Sequence, residues 1–467
     1  MIRFFPKEIS HRVVAIYVVV LLTVTALFLP HAMGPGYIAV GALSVAGFFY
    51  LSYLFSFRWK DLPKKVYLRY LIVWALSLRL ACMTALYFFF LVNTGIPFEF
   101  ETADALGYHL DAKWLASVSL ETGFNYLFQT GMPISDTGYF LYLSLLYRIF
   151  GPNIFIARVI KCLLSTWTCV MIYHLASRTF GETSGRIAGI FCLLAPNLLY
   201  YCGLHLKETE MIFLIVAALE VADHTIRSEH RTFWKFLLLV VLATSLFLFR
   251  TVIGMAIALS VLLGLMLSSP RIMSINRKSL LIFMSVVVIA TLSGGSIANE
   301  IQDTWENRVE NQMQKRQMQT GKGNRWAKYA TGAIMAPMMF VVPFPTMVDV
   351  DKQYNQQMLS GGNYVRNVLG IFVLIALFSE FFVRRNGRNG VLIYTFTVLY
   401  LGIVSLSGFS NSERFVLPAL PFLLMLAAHG VTHLNELNYR WVKIWYWVVA
   451  LMAIGWAIFK LGSRGIL

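Results

Sequence analysis

Apolar runs of about 20 residues recur from one end of the chain to the other, broken by short polar or basic interruptions. Runs of that length suit the ~30 Å hydrocarbon core of a bilayer when coiled as helices, and in lipid only helices or closed barrels satisfy every backbone polar group. The pattern predicts an all-α polytopic membrane protein with about 13 transmembrane helices. Their spans are 13–29, 36–56, 69–93, 154–176, 186–202, 208–224, 235–250, 251–268, 279–294, 366–383, 390–406, 415–430 and 441–460. Two interruptions, 94–153 and 295–365, are too long and too polar to be turns. They divide the chain into residues 1–68 with two helices and a basic loop, a core at 69–294 containing the first large loop, the second large loop at 295–365, and C-terminal helices at 366–467.

Composition agrees with this pattern: the 467 residues are 58% hydrophobic and 13% charged, with a mean hydropathy of +0.66. The net charge of +16 does not point to nucleic acid, because the cations punctuate the spans. They accumulate at 3, 7, 12; at 58, 60, 64, 65, 69; at 178 and 186; at 227, 231, 235; at 271, 277, 278; at 384, 385, 388; and at 440, 443. Threading every cluster to the cytoplasm satisfies the positive-inside rule, with the N-terminus inside, the C-terminus outside and both large loops outside. The first apolar run follows a basic flank and lacks a small-residue cleavage site, so it reads as a retained span. Cys82, Cys162, Cys169, Cys192 and Cys202 lie in or at the edges of spans and read as small hydrophobes, with neither a disulfide framework nor a metal site. No internal repeat, Walker motif, G-x-S-x-G, H-E-x-x-H or Gly-rich dinucleotide loop is present.

The threading gathers the remaining isolated charges on the external side: Asp104 and Asp111 after the third span, Lys207 and Glu208 in "GLHLKETE", Arg250 in "FLFRTVIG" and Arg414 in "SGFSNSERFVLPALP". Charges at membrane depth are costly and face a polar cavity, so one external site is expected. In "FETADALGYHLDAKW", helical spacing sets Asp104, Tyr108 and Asp111 on one face, with His109 about 100° around from Tyr108. The same stretch also reads as a surface helix with Leu106, Leu110 and Trp114 in the interface. Lys207 and Arg250 alternatively snorkel to headgroups, Arg158 and Lys161 contact lipid phosphate, and Arg414 pairs with neighbouring Glu413 at a helix start. Arg79, deep in the third span, needs a partner that the sequence does not name. Asp104 with His109 lacks a metal-ligand spacing, no divalent cofactor has support, and Asp136, Asp303 and Glu306 read as solvated acids. A carboxylate in a dry, cation-lined pocket suits general-base activation of a hydroxyl, and the cations suit a phosphate that leaves with growing charge.

The order of three spans, "TADALGYH", "GYFLYLSLLYRIFGPNIFIAR", "FG" in a basic loop and "APNL" at the end of a span, followed later by "RFVLPALP", resembles the bacterial GT-C membrane glycosyltransferases. These include the aminoarabinose transferases and protein O-mannosyltransferases. The resemblance covers roughly residues 95 to 270 and 405 to 430. It implies a GT-C-like fold with juxtamembrane helices in the large external loops, 138–151 being one, and Asp104 as the catalytic base. It also implies an inverting transfer from a polyprenyl-phosphate-linked sugar to a lipid, glycan or protein acceptor, on the periplasmic face of a bacterial inner membrane. Relatives often have Asp-Glu where this chain has Asp104-Ala105, so Asp111 stands in for the second acid. "PISDTGYF" has no lysine where relatives carry K-P-P, so phosphate binding passes to Lys207, Arg250 or Arg414, with Tyr108, His109 and Glu208 as further substrate contacts. Two alternatives stay open: a polymerase or ligase acting on lipid-diphosphate-linked polysaccharide, and a transporter or flippase, which the one-sided charges and missing repeat disfavour.

Overall fold

The computed structural model describes residues 2–100, 102–129, 137–227, 233–268, 285, 338–351, 353–383, 390–406 and 412–462. It is helical throughout these residues, and one isolated bridge, Ala32 to Val348, is their only β pairing. In chain order the helices are α1 (Lys7–Leu27), α2 (Pro35–Trp59), α3 (Lys64–Thr94), α4 (Asp104–Ser117), α5 (Leu120–Gln129), α6 (Thr137–Phe150), α7 (Ile154–Phe180), α8 (Glu182–Leu194) and α9 (Pro196–Gly203). They continue with α10 (Glu208–Arg227), α11 (Phe233–Phe249), α12 (Thr251–Ser268), α13 (Tyr354–Met358), α14 (Ser360–Phe378), α15 (Val391–Leu406), α16 (Glu413–Val416), α17 (Leu420–Thr432) and α18 (Glu436–Gly462). Every span expected from the sequence falls on helix except 279–294, which apart from residue 285 lies outside the described residues. Seven helices among the described residues are long and apolar enough to cross a membrane, and α8 with α9, bent by 45°, makes an eighth if the pair is one span. The protein is a polytopic, multi-pass membrane protein.

The bend has a local cause. Pro196 has no N–H for the carbonyl of Cys192, and the chain turns at Ala195. Arg79 fills the gap: its Nη2 donates to Cys192 O at 3.2 Å and its Nη1 to Leu193 O at 3.5 Å, while Nε donates to Ser165 Oγ at 2.7 Å. This cation in the middle of α3 is therefore wholly buried because a broken helix offers it carbonyls. Arg79→Met is expected to lower stability by about 1–3 kcal/mol for each carbonyl left bare. Pro196→Ala returns a backbone donor to Cys192, so the Arg79→Met penalty should shrink in the double variant, as read by thermal unfolding in detergent. Equal penalties in both backgrounds would separate Arg79 from the bend.

The "SGGN" stretch, inside the expected loop 295–365, is instead the first turn of α14. Close packing explains the difference. A Cβ at Gly361 would meet the backbone of Gly41 in α2, and one at Gly362 would fall on the side chain of Asn197, so the glycines serve helix approach rather than a turn. The preceding "VVPFPT" segment is buried, held by Asn367 Nδ2 donating to the carbonyls of Val341 at 2.6 Å and Pro343 at 2.9 Å.

In the first large loop, α6 has 14 residues, which at the helical rise is about 21 Å and short of the hydrocarbon core. It packs along α4, and Arg148 Nη2 caps that helix by donating to Leu115 O at 2.7 Å and Val118 O at 2.6 Å. Ala105, Ala112 and Leu115 form the buried face of α4, and Leu110 and Trp114 are exposed on the other. The surface-helix reading and the site-bearing reading therefore describe two faces of one helix.

Candidate active site

Three segments far apart in sequence meet at their helix starts. Asp104 opens α4, Glu208 opens α10 and Arg414 is the second residue of α16. Carboxylates are favoured at helix N-termini, where the backbone N–H groups point outward. Arg414 joins the two acids: Nη1 donates to Asp104 Oδ2 at 2.6 Å and Nε to Glu208 Oε1 at 2.7 Å. The side chains grade outward, with Glu208 at 0% exposure, Arg414 at 29% and Asp104 at 50%. Arg414 thus sits between a buried acid and one open to solvent. It does not pair with Glu413, whose Oε1 accepts from Asn363 Nδ2 at 2.8 Å while Asn363 in turn accepts from Asn197 at 3.0 Å. Consecutive helical residues diverge by about 100°, which sends the two charges to different partners.

Lys207 and Arg250 join the same cluster instead of reaching for headgroups. Lys207 Nζ donates to Phe249 O at 3.1 Å and lies 5.8 Å from the centre of the Tyr108 ring. The Arg250 guanidinium, at the break between α11 and α12, lies 4.5 Å from the centre of the Phe415 ring. Arg250 Nη1 and Glu208 Oε2 are buried without a hydrogen-bond partner among the described residues. Buried polar atoms left in that state mark a place for a ligand or water.

Beneath this layer lie residues that the sequence reading set aside. Arg158 and Lys161, read as contacts to lipid phosphate, are buried inside the protein. Lys161 Nζ donates to Leu204 O at 2.8 Å, to Leu206 O and to Tyr139 Oη at 3.3 Å, and pairs with Glu210 Oε2 at 3.4 Å. Arg158 donates to Pro97 O, and its charge faces Glu99, whose carboxyl burial raises above its ordinary range. With Glu210 and Glu99 counted, five cations (Arg158, Lys161, Lys207, Arg250, Arg414) stand with four carboxylates (Asp104, Glu208, Glu210, Glu99).

His109 turns away from Asp104 and enters a chain of its own. Its Nδ1 is 2.8 Å from Tyr147 Oη, which is 3.2 Å from His205 Nε2. Burial, then Lys161 and Arg158, push His205 well below the ordinary histidine value; burial and then Lys113 lower His109. A lowered imidazole pKa means the unfolded chain takes up protons first as pH falls, so this contribution to stability is whole above about pH 6.5 and is lost below it. Melting temperature should therefore fall on acidification from pH 7 to 5, and fall less in His205→Gln. The same pH slope in both would remove His205 as the cause. Asp111 is exposed on α4, desolvation of its inner side raises its carboxyl above the ordinary value, and no hydrogen bond or ion pair among the described residues joins it to the cluster. His205 and Glu210 share "GLHLKETE" with Lys207 and Glu208, so the density of charge in that turn was their available signal. Tyr147 carried none, because its partners His109 and His205 lie 38 and 58 residues away.

Comparison with known families bears on the middle of this arrangement. Residues 138–295 match the dolichyl-phosphate-mannose-protein mannosyltransferase family model, a GT-C superfamily domain. The matched segment contains Lys207, Glu208 and Arg250; Asp104 and Arg414 lie outside it. No curated protein matches the chain. The segment 138–295 is thus similar to a membrane glycosyltransferase domain of the GT-C type, within a chain of apolar, membrane-length helices.

Proposed function

We propose that the protein transfers a sugar from a polyprenyl-phosphate-linked donor to a hydroxyl of a lipid, glycan or protein acceptor, with inversion, at the periplasmic face of a bacterial inner membrane. Asp104 accepts the acceptor's hydroxyl proton. The freed oxygen forms its bond to the anomeric carbon, while the bond from that carbon to the phosphate oxygen breaks and its electron pair stays on the lipid phosphate. Arg414, Arg250 and Lys207 stabilise the charge that grows there, and Tyr108 flanks the sugar or acceptor. The observation that carries this reading is the Arg414 fork: one guanidinium holds a solvent-open carboxylate and a buried one within 2.6 Å and 2.7 Å. A donor phosphate competing for that guanidinium would release Asp104 next to the reacting sugar. The basic clusters at the other helix ends support placing this end outside. The test is turnover by purified protein given a monosaccharide linked to a polyprenyl monophosphate. Turnover only with a diphosphate-linked oligosaccharide would transfer the chain to the polymerase or ligase class.

A further inference from the structure

At the end of the bundle away from Asp104, two helices bring together a set of donors that sugar transfer does not use. His429 and His433, in "HGVTH", are four residues apart at the end of α17, and Glu380 lies in the turn that continues α14. One ligand atom from each lies within 4.8 Å of the other two. His429 is 15 residues beyond Arg414, which along a helix is about 22 Å from the candidate active site. From this geometry we infer a binding site for a divalent transition-metal cation of the zinc class, with Nε2 of His429, Nε2 of His433 and the Glu380 carboxylate as ligands.

The inference rests on how the imidazoles are held. Glu380 and His429 are buried and His433 is partly so, in an interior where a cation would be shielded from water. His433 Nδ1 lies 2.9 Å from His429 O and 3.2 Å from Thr432 Oγ1, and His429 Nδ1 lies 3.3 Å from Ser184 Oγ. Each ring is thus fixed through Nδ1, the arrangement by which a metal-binding histidine is oriented with its Nε2 lone pair toward the ion. The His429 ring also stacks on Phe180, with centres 4.4 Å apart and planes at 21°, which sets its plane. His429 Nε2 is 2.8 Å from Glu380 Oε1, a hydrogen bond when no ion is bound. On binding, His429 stays neutral by carrying its proton on Nδ1, where the Ser184 hydroxyl accepts it as readily as it donates. Two imidazoles and one carboxylate suit zinc and leave a fourth position open. The ion would pin the far ends of α14 and α17 to the start of α8, which carries Ser184.

The full-length protein in detergent, stripped with a chelator, is titrated with Co(II) as a spectroscopic probe and with Zn(II) in thermal unfolding. One equivalent of cobalt with visible ligand-field bands, displaced by zinc, and a zinc-dependent rise in melting temperature are expected. His433→Gln and Glu380→Gln should each weaken cobalt binding more than ~100-fold, and Ser184→Ala about 10-fold. If Glu380→Gln does not fold, His433→Gln reads the site alone, since that ring is only partly buried. Absence of stoichiometric cobalt in the wild type, or unchanged binding in His433→Gln, overturns the site and leaves a histidine–carboxylate hydrogen bond. Neither readout depends on sugar transfer.

Discussion

Sugar transfer is expected to fall about 10²–10⁴-fold in Asp104→Asn, the loss typical of removing a general base, while folding and insertion stay those of the wild type. The substitution is nearly isosteric. The Asn carbonyl oxygen can still accept from Arg414 Nη1, which contacts Asp104 at 2.6 Å, and the side chain is half exposed, so no buried group loses its partner. Only the capacity to take a proton goes. Initial rates with a polyprenyl-monophosphate sugar, set beside gel filtration and a circular-dichroism melt, separate chemistry from fold. Asp111→Asn is the control: its carboxylate is exposed and outside the Arg414 cluster, so its rate should stay within a few-fold of wild type. Full activity in Asp104→Asn would remove that residue from the chemistry. Loss in Asp111→Asn alone would move the base two turns along the same face of α4.

The helical, membrane-spanning character was legible because it rests on period and length, which lipid enforces without regard to tertiary detail. The pooling of Asp104, Lys207, Glu208, Arg250 and Arg414 at one place also came from sequence, although more than 200 residues separate Glu208 from Arg414, because threading the basic clusters to one side leaves these residues together on the other. Partner choice was not legible. Whether Arg414 turns to Glu413 or across to Glu208 depends on the direction of one helix start, and whether Lys161 meets lipid or Glu210 depends on how α7 and α10 pack. His109 shows the same limit, since its partner Tyr147 lies on α6 within an apolar run that marks no functional position. Arg79 went unassigned for a related reason. Its acceptors are backbone carbonyls exposed by Pro196, and a proline bend does not name the side chain that will answer it. In "SGGN" the glycines serve close packing, whereas glycine elsewhere marks turns, two uses that a single sequence does not distinguish.

Arg414→Ala should be the most damaging change to the site, in stability as well as rate. Glu208 is fully buried, and removing the guanidinium leaves its carboxylate without its partner at 2.7 Å, a loss of about 3–5 kcal/mol by analogy with other broken buried pairs. Activity should vanish with it, but a destabilised protein loses activity for trivial reasons, so the decisive variant is the pair Arg414→Ala with Glu208→Gln. Neutralising the buried acid removes most of the electrostatic cost, and the melting temperature should recover toward wild type. Transfer should not recover, because the phosphate would still lack Arg414 and the base its orienting partner. Arg414→Lys sharpens the point: it keeps one positive charge but lacks the planar fork that reaches both carboxylates at once, so it should be more stable than Arg414→Ala and still slow. A double variant that regains both stability and rate would make Arg414 a counter-ion for Glu208 alone. One that regains stability without rate would assign the guanidinium to the reaction, linking the buried acid, the open base and the departing phosphate through a single side chain.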